Sequence, residues 1–249
     1  QSVEETRNVI EAAREAGFKS VSVDLIYGLP HQTLDSIKPT IDTVLSLDPD
    51  RLALYHYAHL PHIFKPQRRI DTAAVPSSEE KLDILQYAVR RLDEAGYVFI
   101  GMDHFAKPND ELAIALREGL LQRNFQGYST YADCDLVALG VSAIGKIGGT
   151  YEQNERNITD YYAALDAGRL PVMRGYRLNR DDILRRNIIQ DLMCRFALDY
   201  RDYEAAFGIP FARYFAAELA DLRQMEQLGL VALTPRSLAV TPKGRFLIR

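Results

Sequence analysis

An alternation of helical and strand-like segments over the first hundred residues constrains the fold more than any other feature. Three segments repeat apolar side chains at helical spacing, and three are short apolar runs typical of buried strands. The helical segments are 3–16, 33–47 and 77–95, and the strand-like segments are 21–27, 52–58 and 97–100. This order predicts an α/β fold of parallel strands joined by helical crossovers. Periodicity leaves open whether the strands belong to a doubly wound sheet or to part of a β/α barrel.

The chain of 249 residues opens on a helical segment without a preceding strand or an initiator Met, so we expect it to be a fragment of a longer protein. Its net charge of −4 does not suggest a nucleic-acid partner. No apolar run has the length of a membrane span, and the N-terminus does not resemble a signal peptide. We therefore expect no membrane span. Because the two cysteines do not suggest a disulfide scaffold, we expect a cytoplasmic location, and we also expect a monomer.

The character of the sequence changes after Leu178. Segments 183–196 and 211–228 are amphipathic helices, and 230–240 reads as a short hairpin. Helices followed by a hairpin resemble a winged-helix unit, so we predict two domains, 1–178 and 179–249. A winged-helix transcription regulator is an alternative function, but the acidic balance and the lack of a basic recognition helix count against it.

The third strand-like run leads directly into Asp103, His104 and Phe105. Polar groups at the C-terminal edge of a buried strand are where α/β folds place their chemistry. The chain then turns, and Asn109 is predicted to cap a helix that begins at Asp110. Capping alone would also explain such polar residues.

Asp24 interrupts an otherwise apolar strand, where we expect it to be buried. A buried carboxylate must be paired or hydrogen-bonded. It therefore belongs either to a buried ion pair or to a ligand site, where it would accept from hydroxyl or ammonium groups. The Gly28, Leu29 and Pro30 break at the end of the same strand favours the ligand site.

Other candidate groups carry weaker signals. His56, His59 and His62 are spaced by three, but alternation along a strand sends His56 and His59 to opposite faces, which disfavours a metal site. Arg68 and Arg69 are candidates for binding substrate carboxylates, because the planar guanidinium group binds carboxylates in a bidentate manner. Of the two cysteines, Cys134 is expected to be exposed and Cys194 is expected to be a buried structural thiol. Their spacing suggests neither a disulfide nor a zinc site.

Five motifs together resemble the oxygen-independent coproporphyrinogen III oxidase family of radical S-adenosylmethionine enzymes. They are Val23 to Pro30, Tyr57 to Pro61, Gly101 to Ala106, Arg123 to Tyr128 and Gly140 to Ile144. The resemblance covers essentially the whole chain. A related haem chaperone, which binds haem without oxidase activity, is the main alternative. The stretch Met102 to Phe105 favours the oxidase, because the chaperone usually has a different sequence there.

The resemblance implies the C-terminal part of a (β/α)6 partial barrel, followed by a mostly helical domain. It implies a four-iron, four-sulfur cluster, whose cysteine ligands lie outside this chain, and two S-adenosylmethionine molecules. Matching positions place Asp24 and Ala58 at the first S-adenosylmethionine, and Ile144, with Phe125 and Gln126, at the second. We expect no metal ligands within this chain, and we expect the fragment alone to be inactive.

The activity implied by the resemblance is the conversion of two propionates of coproporphyrinogen III to vinyl groups in haem biosynthesis. The product is protoporphyrinogen IX. An electron donor that the sequence does not identify would be a further partner. The resemblance assigns the cofactor contacts above, but the residues that hold the propionates and those that act in catalysis stay unknown.

Overall fold

The structure of the chain, a computed structural model, describes residues 2–131 and 134–248. These residues form two compact units, which divide between Arg117 and Glu118. The domain boundary predicted after residue 178 lies inside the second unit and stays a prediction. Within the described ranges, no helix is long and apolar enough to cross a membrane.

The first unit alternates helices and strands as the sequence predicts. Its helices are α1 (Val3–Glu15), α2 (Leu34–Ser46), α3 (Ser78–Glu94) and α4 (Glu111–Glu118), and its strands are β1 (Ser22–Tyr27), β2 (Arg51–His56), β3 (Val98–Gly101) and β4 (His104–Ala106). Ser2, Thr33 and Ser77 cap the first three helices in capping boxes, which satisfy backbone N–H groups that have no partner inside the helix. Local sequence therefore fixes where these helices begin.

The four strands form one sheet in the order β1, β2, β4, β3. Strands β1 and β2 are parallel, while β4 is antiparallel to both β2 and β3. It follows that β1, β2 and β3 run in the same direction, as expected from the helical crossovers. Strand β4 was not predicted, because its three residues are too few to show a period. A tight turn through Met102, whose φ is 51°, returns β4 between β2 and β3.

Helices cover one face of this sheet. Leu52 and Leu54 are buried on the covered face, and α3 packs against α2, β1 and β3. On the other face Ile26 and Tyr55 are 46% and 37% exposed. A doubly wound sheet carries helices on both faces, so this arrangement supports the barrel alternative.

A buried ion pair holds the start of β2 to the start of α4. Asp110, 8% exposed, accepts from Arg51 Nε at 2.9 Å and from Ser20 Oγ at 3.0 Å. Its carboxylate also accepts from the backbone N–H of Leu112, so Asp110 caps α4. The predicted cap at Asn109 is therefore wrong. Asp110 caps the helix instead, and its carboxylate also forms the ion pair with Arg51.

The second unit begins with antiparallel structure. Its strands are β5 (Gln122–Asn124), β6 (Gly127–Ser129), β7 (Ile144–Ile147), β8 (Thr150–Asn154) and β9 (Val172–Arg177), with helix α5 (Ile158–Asp166) between β8 and β9. Strands β5 and β6 form a hairpin, and β7, β8 and β9 form a separate sheet. The sequence indicated short strands or loops near 124–128 and 140–145 but gave no sign of β8, β9 or α5.

The rest of the second unit combines helices with a small antiparallel sheet. The elements are α6 (Arg180–Arg195), β10 (Ala197–Asp199), α7 (Tyr200–Phe207), α8 (Phe211–Tyr214), α9 (Ala216–Gln227), β11 (Val231–Leu233), β12 (Ser237–Val240) and α10 (Pro242–Arg245). The hairpin of β11 and β12, which the sequence predicts, pairs with β10, while the winged-helix-like character of this part stays a prediction. Tyr200 stacks on Phe211 at 4.3 Å between ring centroids, in an aromatic core completed by Phe215.

The two cysteines differ in environment, as predicted. Cys134 is exposed, whereas Cys194 is 2% exposed on α6, and burial raises the pKa of its thiol to about 12. At pH 8 the Cys194 thiol therefore stays protonated and unreactive, since the thiolate is the nucleophile. We expect iodoacetamide to label one thiol per native chain and two after denaturation, as counted by mass spectrometry. A Cys134→Ser variant should show no native labelling, and two labels on the native protein would contradict this assignment.

Candidate functional site

A row of three residues crosses the first sheet at its open face. Asp24 on β1 is paired in register with Ala53 on β2, and Ala53 is paired with His104 on β4. Residues that are paired across strands point to the same side of a sheet. Asp24 and His104 therefore lie on one face on either side of Ala53. We define the open face by Asp24, Ile26, Tyr55 and His104.

Asp24 is exposed, so the expectation of a buried carboxylate is wrong. The apolar neighbours that suggested burial, Val23 and Leu25, are half-buried on the opposite face of β1. Among the described residues its carboxylate has neither an ion-pair nor a hydrogen-bond partner, so the buried ion pair considered from sequence has no support. The arrangement leaves the carboxylate able to accept hydrogen bonds from a ligand.

Tyr55 is a residue of the open face that sequence reasoning missed. Its ring packs edge-on against His104 at 6.1 Å between centroids. Burial, followed by the nearby Asp24 and Asp103 carboxylates, raises the pKa of the Tyr55 hydroxyl, which is therefore a neutral hydrogen-bonding group at physiological pH. The sequence contained one signal for Tyr55. It lies two residues after Ala53, so both side chains point to the same face of β2.

Ala58 lies just past the end of β2 and is exposed. Its carbonyl accepts from the Gln67 carboxamide at 3.0 Å, so the segment that carries Ala58 is held in place. Arg68 and Arg69 follow Gln67 in a short 3-10 helix, Lys65–Arg69, and both are exposed. Arg68 Nε donates to the Pro61 carbonyl at 3.0 Å, which leaves its terminal nitrogens available for a carboxylate.

The histidines at the end of β2 and just after it do not assemble into a cation site. His56 packs against Tyr27, and His59 Nδ1 lies 3.3 Å from the Tyr57 hydroxyl. Across residues 2–131 and 134–248, no group of His, Cys, Asp and Glu side chains has the arrangement needed to hold a metal ion. The roles of these histidines in the structure are aromatic packing and hydrogen bonding.

In the second unit, Phe125 and Gln126 form the tip of the β5–β6 hairpin, and both are exposed. The N–H of Gln126 donates to the Asn124 side chain at 2.8 Å, which shapes the turn. Phe125 packs edge-on against Tyr151 of β8 at 5.3 Å between ring centroids. The hairpin tip is thereby anchored to the sheet that contains Ile144.

Ile144 is the first residue of β7, is half-buried and is paired with Gln153. Tyr151 lies two residues before Gln153, so it points to the same side of the sheet as Ile144. Phe125, through its contact with Tyr151, therefore packs on the Ile144 side. The structure thus brings two of the three residues predicted for the second S-adenosylmethionine to one face.

The loop before Ile144 is fixed by two side chains that sequence reasoning missed. Asn154, 3% exposed, donates to the carbonyls of Ala138 and Gly140 at 3.2 and 3.0 Å. Gln153 Nε2 donates to the Ser142 carbonyl at 3.0 Å, at a position where the Ser142 φ of 59° is left-handed. A buried Asn is informative only once its partners are known, so the sequence offered no usable signal.

A sheet with helices on one side and an exposed face on the other is the arrangement expected for part of an α/β barrel. The solved structure of coproporphyrinogen III oxidase (HemN) from Escherichia coli, described as a radical SAM enzyme, matches the chain with a TM-score of 0.96. The two sequences are 49% identical. The match covers 100% of this chain and 57% of the Escherichia coli chain. The fold is therefore that of the C-terminal part of a radical S-adenosylmethionine enzyme.

The chain belongs to the oxygen-independent coproporphyrinogen III oxidase family. It is 48% identical to the member from Thermostichus vulcanus over 242 residues, which is 97% of this chain and 74% of that protein. It is 51% identical to the Pseudomonas aeruginosa member over its whole length but spans only 54% of that protein. The HemN C-terminal domain family matches residues 178–247. The chain thus spans about half the length of most of these relatives.

Proposed function

We propose that the protein containing this chain converts two propionates of coproporphyrinogen III to vinyl groups without oxygen. The single observation that supports this most strongly is the 48% identity to an oxygen-independent coproporphyrinogen III oxidase of which the chain covers 74%. The proposed product is protoporphyrinogen IX, formed in haem biosynthesis. We also propose that the protein is cytoplasmic and monomeric. It would receive electrons from a separate electron donor.

Two places among the described residues are proposed to bind S-adenosylmethionine, and within residues 2–131 and 134–248 no group of side chains could hold a metal ion. The exposed Asp24 carboxylate on the open face suits a ligand that carries hydroxyl and ammonium groups. The Phe125, Tyr151 and Ile144 surface suits an apolar or aromatic group. When bound, S-adenosylmethionine and a four-iron, four-sulfur cluster supply the radical that removes a hydrogen atom from each propionate. The cluster would be held by cysteines outside this chain.

The chain's own residues would bind and orient these groups. Asp24 on β1 and Ala58 just past the end of β2 would contact the first S-adenosylmethionine. Ile144, Phe125 and Gln126 would contact the second, with the apolar side chains limiting access of water. Arg68 and Arg69 would hold substrate carboxylates, for which the planar, charged guanidinium group is suited. Each propionate radical would then release carbon dioxide and pass one electron to a one-electron acceptor as the vinyl group forms.

The activity is tested with the full-length protein under anaerobic conditions. The reduced protein is supplied with S-adenosylmethionine and coproporphyrinogen III, and vinyl products and 5′-deoxyadenosine are quantified by chromatography. Two 5′-deoxyadenosine molecules per protoporphyrinogen IX would agree with two decarboxylations. Stoichiometric haem binding without vinyl formation would instead support the haem chaperone.

Asp24→Asn in the full-length protein should weaken S-adenosylmethionine binding while leaving the fold intact. The change keeps the shape of the side chain but removes the charge that would strengthen a hydrogen bond. The expected loss of binding free energy is roughly 1.5–3 kcal/mol. Equilibrium binding measures the affinity, and thermal denaturation measures the fold.

Asp93→Asn, an exposed charge removal on α3, is the matched control and should change neither quantity. A large fall in melting temperature with unchanged affinity for Asp24→Asn would mean that Asp24 has a structural role.

A further inference from the structure

Two glutamine side chains form hydrogen bonds with the backbone at the carboxyl ends of β1 and β2. The first S-adenosylmethionine is proposed to bind beside these two strands. Gln32 Oε1 accepts from the N–H of Gly28 at 2.6 Å, and Gln32 Nε2 donates to the carbonyl of Ile26 at 3.3 Å. Gln67 Oε1 accepts from the N–H of Leu60 at 2.5 Å, and its Nε2 donates to Ala58 at 3.0 Å. Gln32 Oε1 also accepts from the N–H of Leu29 at 3.4 Å. Each carboxamide therefore pairs with backbone donors and a backbone acceptor at once.

Both strand-end glutamines, Gln32 and Gln67, are brought back to their strand by a local turn. The N–H of Gln32 donates to the Leu29 carbonyl at 3.1 Å, across a turn with Pro30 at its second position and His31 at its third. His31 has a φ of 62°, and this combination is typical of a type II turn. Gln67 lies in the 3-10 helix Lys65–Arg69, which follows the turn at Leu60.

The ends of β1 and β2 are hydrogen-bonded to each other, and the glutamine bonds lie close in sequence to the residues proposed to contact the cofactor. The N–H of Tyr57 donates to the Tyr27 carbonyl at 2.8 Å, which extends the β1–β2 pairing to the sheet edge. Gln32 bonds the carbonyl of Ile26, two residues after Asp24, and Gln67 bonds the carbonyl of Ala58 itself. Gly28, held by Gln32, has a φ of 81° that most residues avoid.

We infer that Gln32 and Gln67 are positioning residues. They preorganise the carboxyl ends of β1 and β2, the strands that carry or precede Asp24 and Ala58, for binding S-adenosylmethionine. This inference rests on the proposed function. Ala58 is exposed in a segment without regular structure, and Gly28 follows the last residue of β1. Without the carboxamides, the backbone at these two points would have to be ordered when the ligand binds. Ordering a segment before binding removes that entropic cost from the affinity.

The variants separate geometry from charge. Gln67→Glu and Gln32→Glu keep an acceptor oxygen but place a second oxygen against a backbone carbonyl. Gln67→Met has similar length and removes both hydrogen bonds without adding charge. Gln86→Glu, exposed on α3, is the matched control. All four are made in the full-length protein with its cluster, and S-adenosylmethionine affinity, deuterium uptake at Gly28 and Leu60, and melting temperature are measured.

We expect each strand-end variant to weaken S-adenosylmethionine binding roughly tenfold, the size expected for a lost hydrogen bond. Deuterium uptake should rise at Leu60 for the Gln67 variants and at Gly28 for Gln32→Glu. The melting temperature and the behaviour of Gln86→Glu should stay close to wild type. Unchanged affinity in Gln67→Met and Gln32→Glu would overturn the inference, as would weakening that only follows a general loss of stability.

These outcomes are distinguishable from failure of the proposed function. Wild-type protein that binds S-adenosylmethionine but forms no vinyl product would contradict the function, while the comparison of variant affinities would still decide the inference. Wild-type protein that does not bind S-adenosylmethionine would overturn both.

Discussion

Ile144→Asp in the full-length protein should reduce vinyl formation more than about 100-fold. Ile144 is proposed to form an apolar wall at the second S-adenosylmethionine. A carboxylate there would admit water or be forced to become neutral, either of which costs several kcal/mol. Since about 1.4 kcal/mol corresponds to a factor of ten in rate, a loss of this size removes most turnover. Anaerobic product analysis measures the effect.

Two comparisons make the Ile144 result specific. Ile147→Asp introduces the same charge on the same strand, but on the opposite face at a side chain that is 44% exposed, so it should retain activity. Ile144→Val removes one methylene and should cost about 0.5–1.5 kcal/mol if the surface is packed. Near wild-type activity in a folded Ile144→Asp protein would show that Ile144 is not at the site. Absorbance of the cluster, whose ligands are expected outside this chain, should survive all three changes.

Asp110→Ala should destabilise the protein by about 3 kcal/mol. The change leaves Arg51 Nε, on a side chain that is 24% exposed, without the carboxylate whose two oxygens accept from it, and removes the cap of α4. Removing one member of a buried ion pair is strongly unfavourable, because the remaining charge stays desolvated. Arg51 keeps its bond to Glu111 at 2.8 Å, which holds the expected cost near the lower end for such pairs. Urea denaturation of matched proteins measures the free energy of unfolding.

Asp35→Ala is the control for the Asp110 prediction. It breaks the Lys38 ion pair at 2.8 Å, but the Asp35 side chain is 90% exposed. Exposed pairs contribute about 0–1 kcal/mol, so this variant should remain close to wild type. Equal losses of stability in the two variants would show that burial does not distinguish the two ion pairs.

Helix positions in the first unit were largely predictable from sequence. Capping boxes at Thr33 and Ser77 are local signals, because the cap and its partner are three residues apart. Apolar spacing likewise located α2 and α3. The hairpin of β11 and β12 in the second unit was predictable from its short strands and intervening turn.

Candidate site residues could be found from sequence only through the family resemblance or an interrupted pattern. Asp24 stood out as a charge in an apolar strand, but the pattern could not say which face was covered. Its exposure depends on where α2 and α3 pack, and they lie beyond the strand in sequence. Residues without a pattern of their own, such as Tyr55 and Asn154, were missed for the same reason.

The sequence by itself determined the order of helices and strands, the helix starts and the motifs that indicate the family. Only the tertiary structure decided that β4 inserts between β2 and β3, that Asp24 is exposed and that Asp110 pairs with Arg51. The physical reason is the separation in sequence between the residues that interact. A helix cap or a period of apolar residues is set by neighbours a few positions apart, whereas the Arg51 and Asp110 pair joins residues 59 positions apart. Such contacts form only when the whole unit has folded.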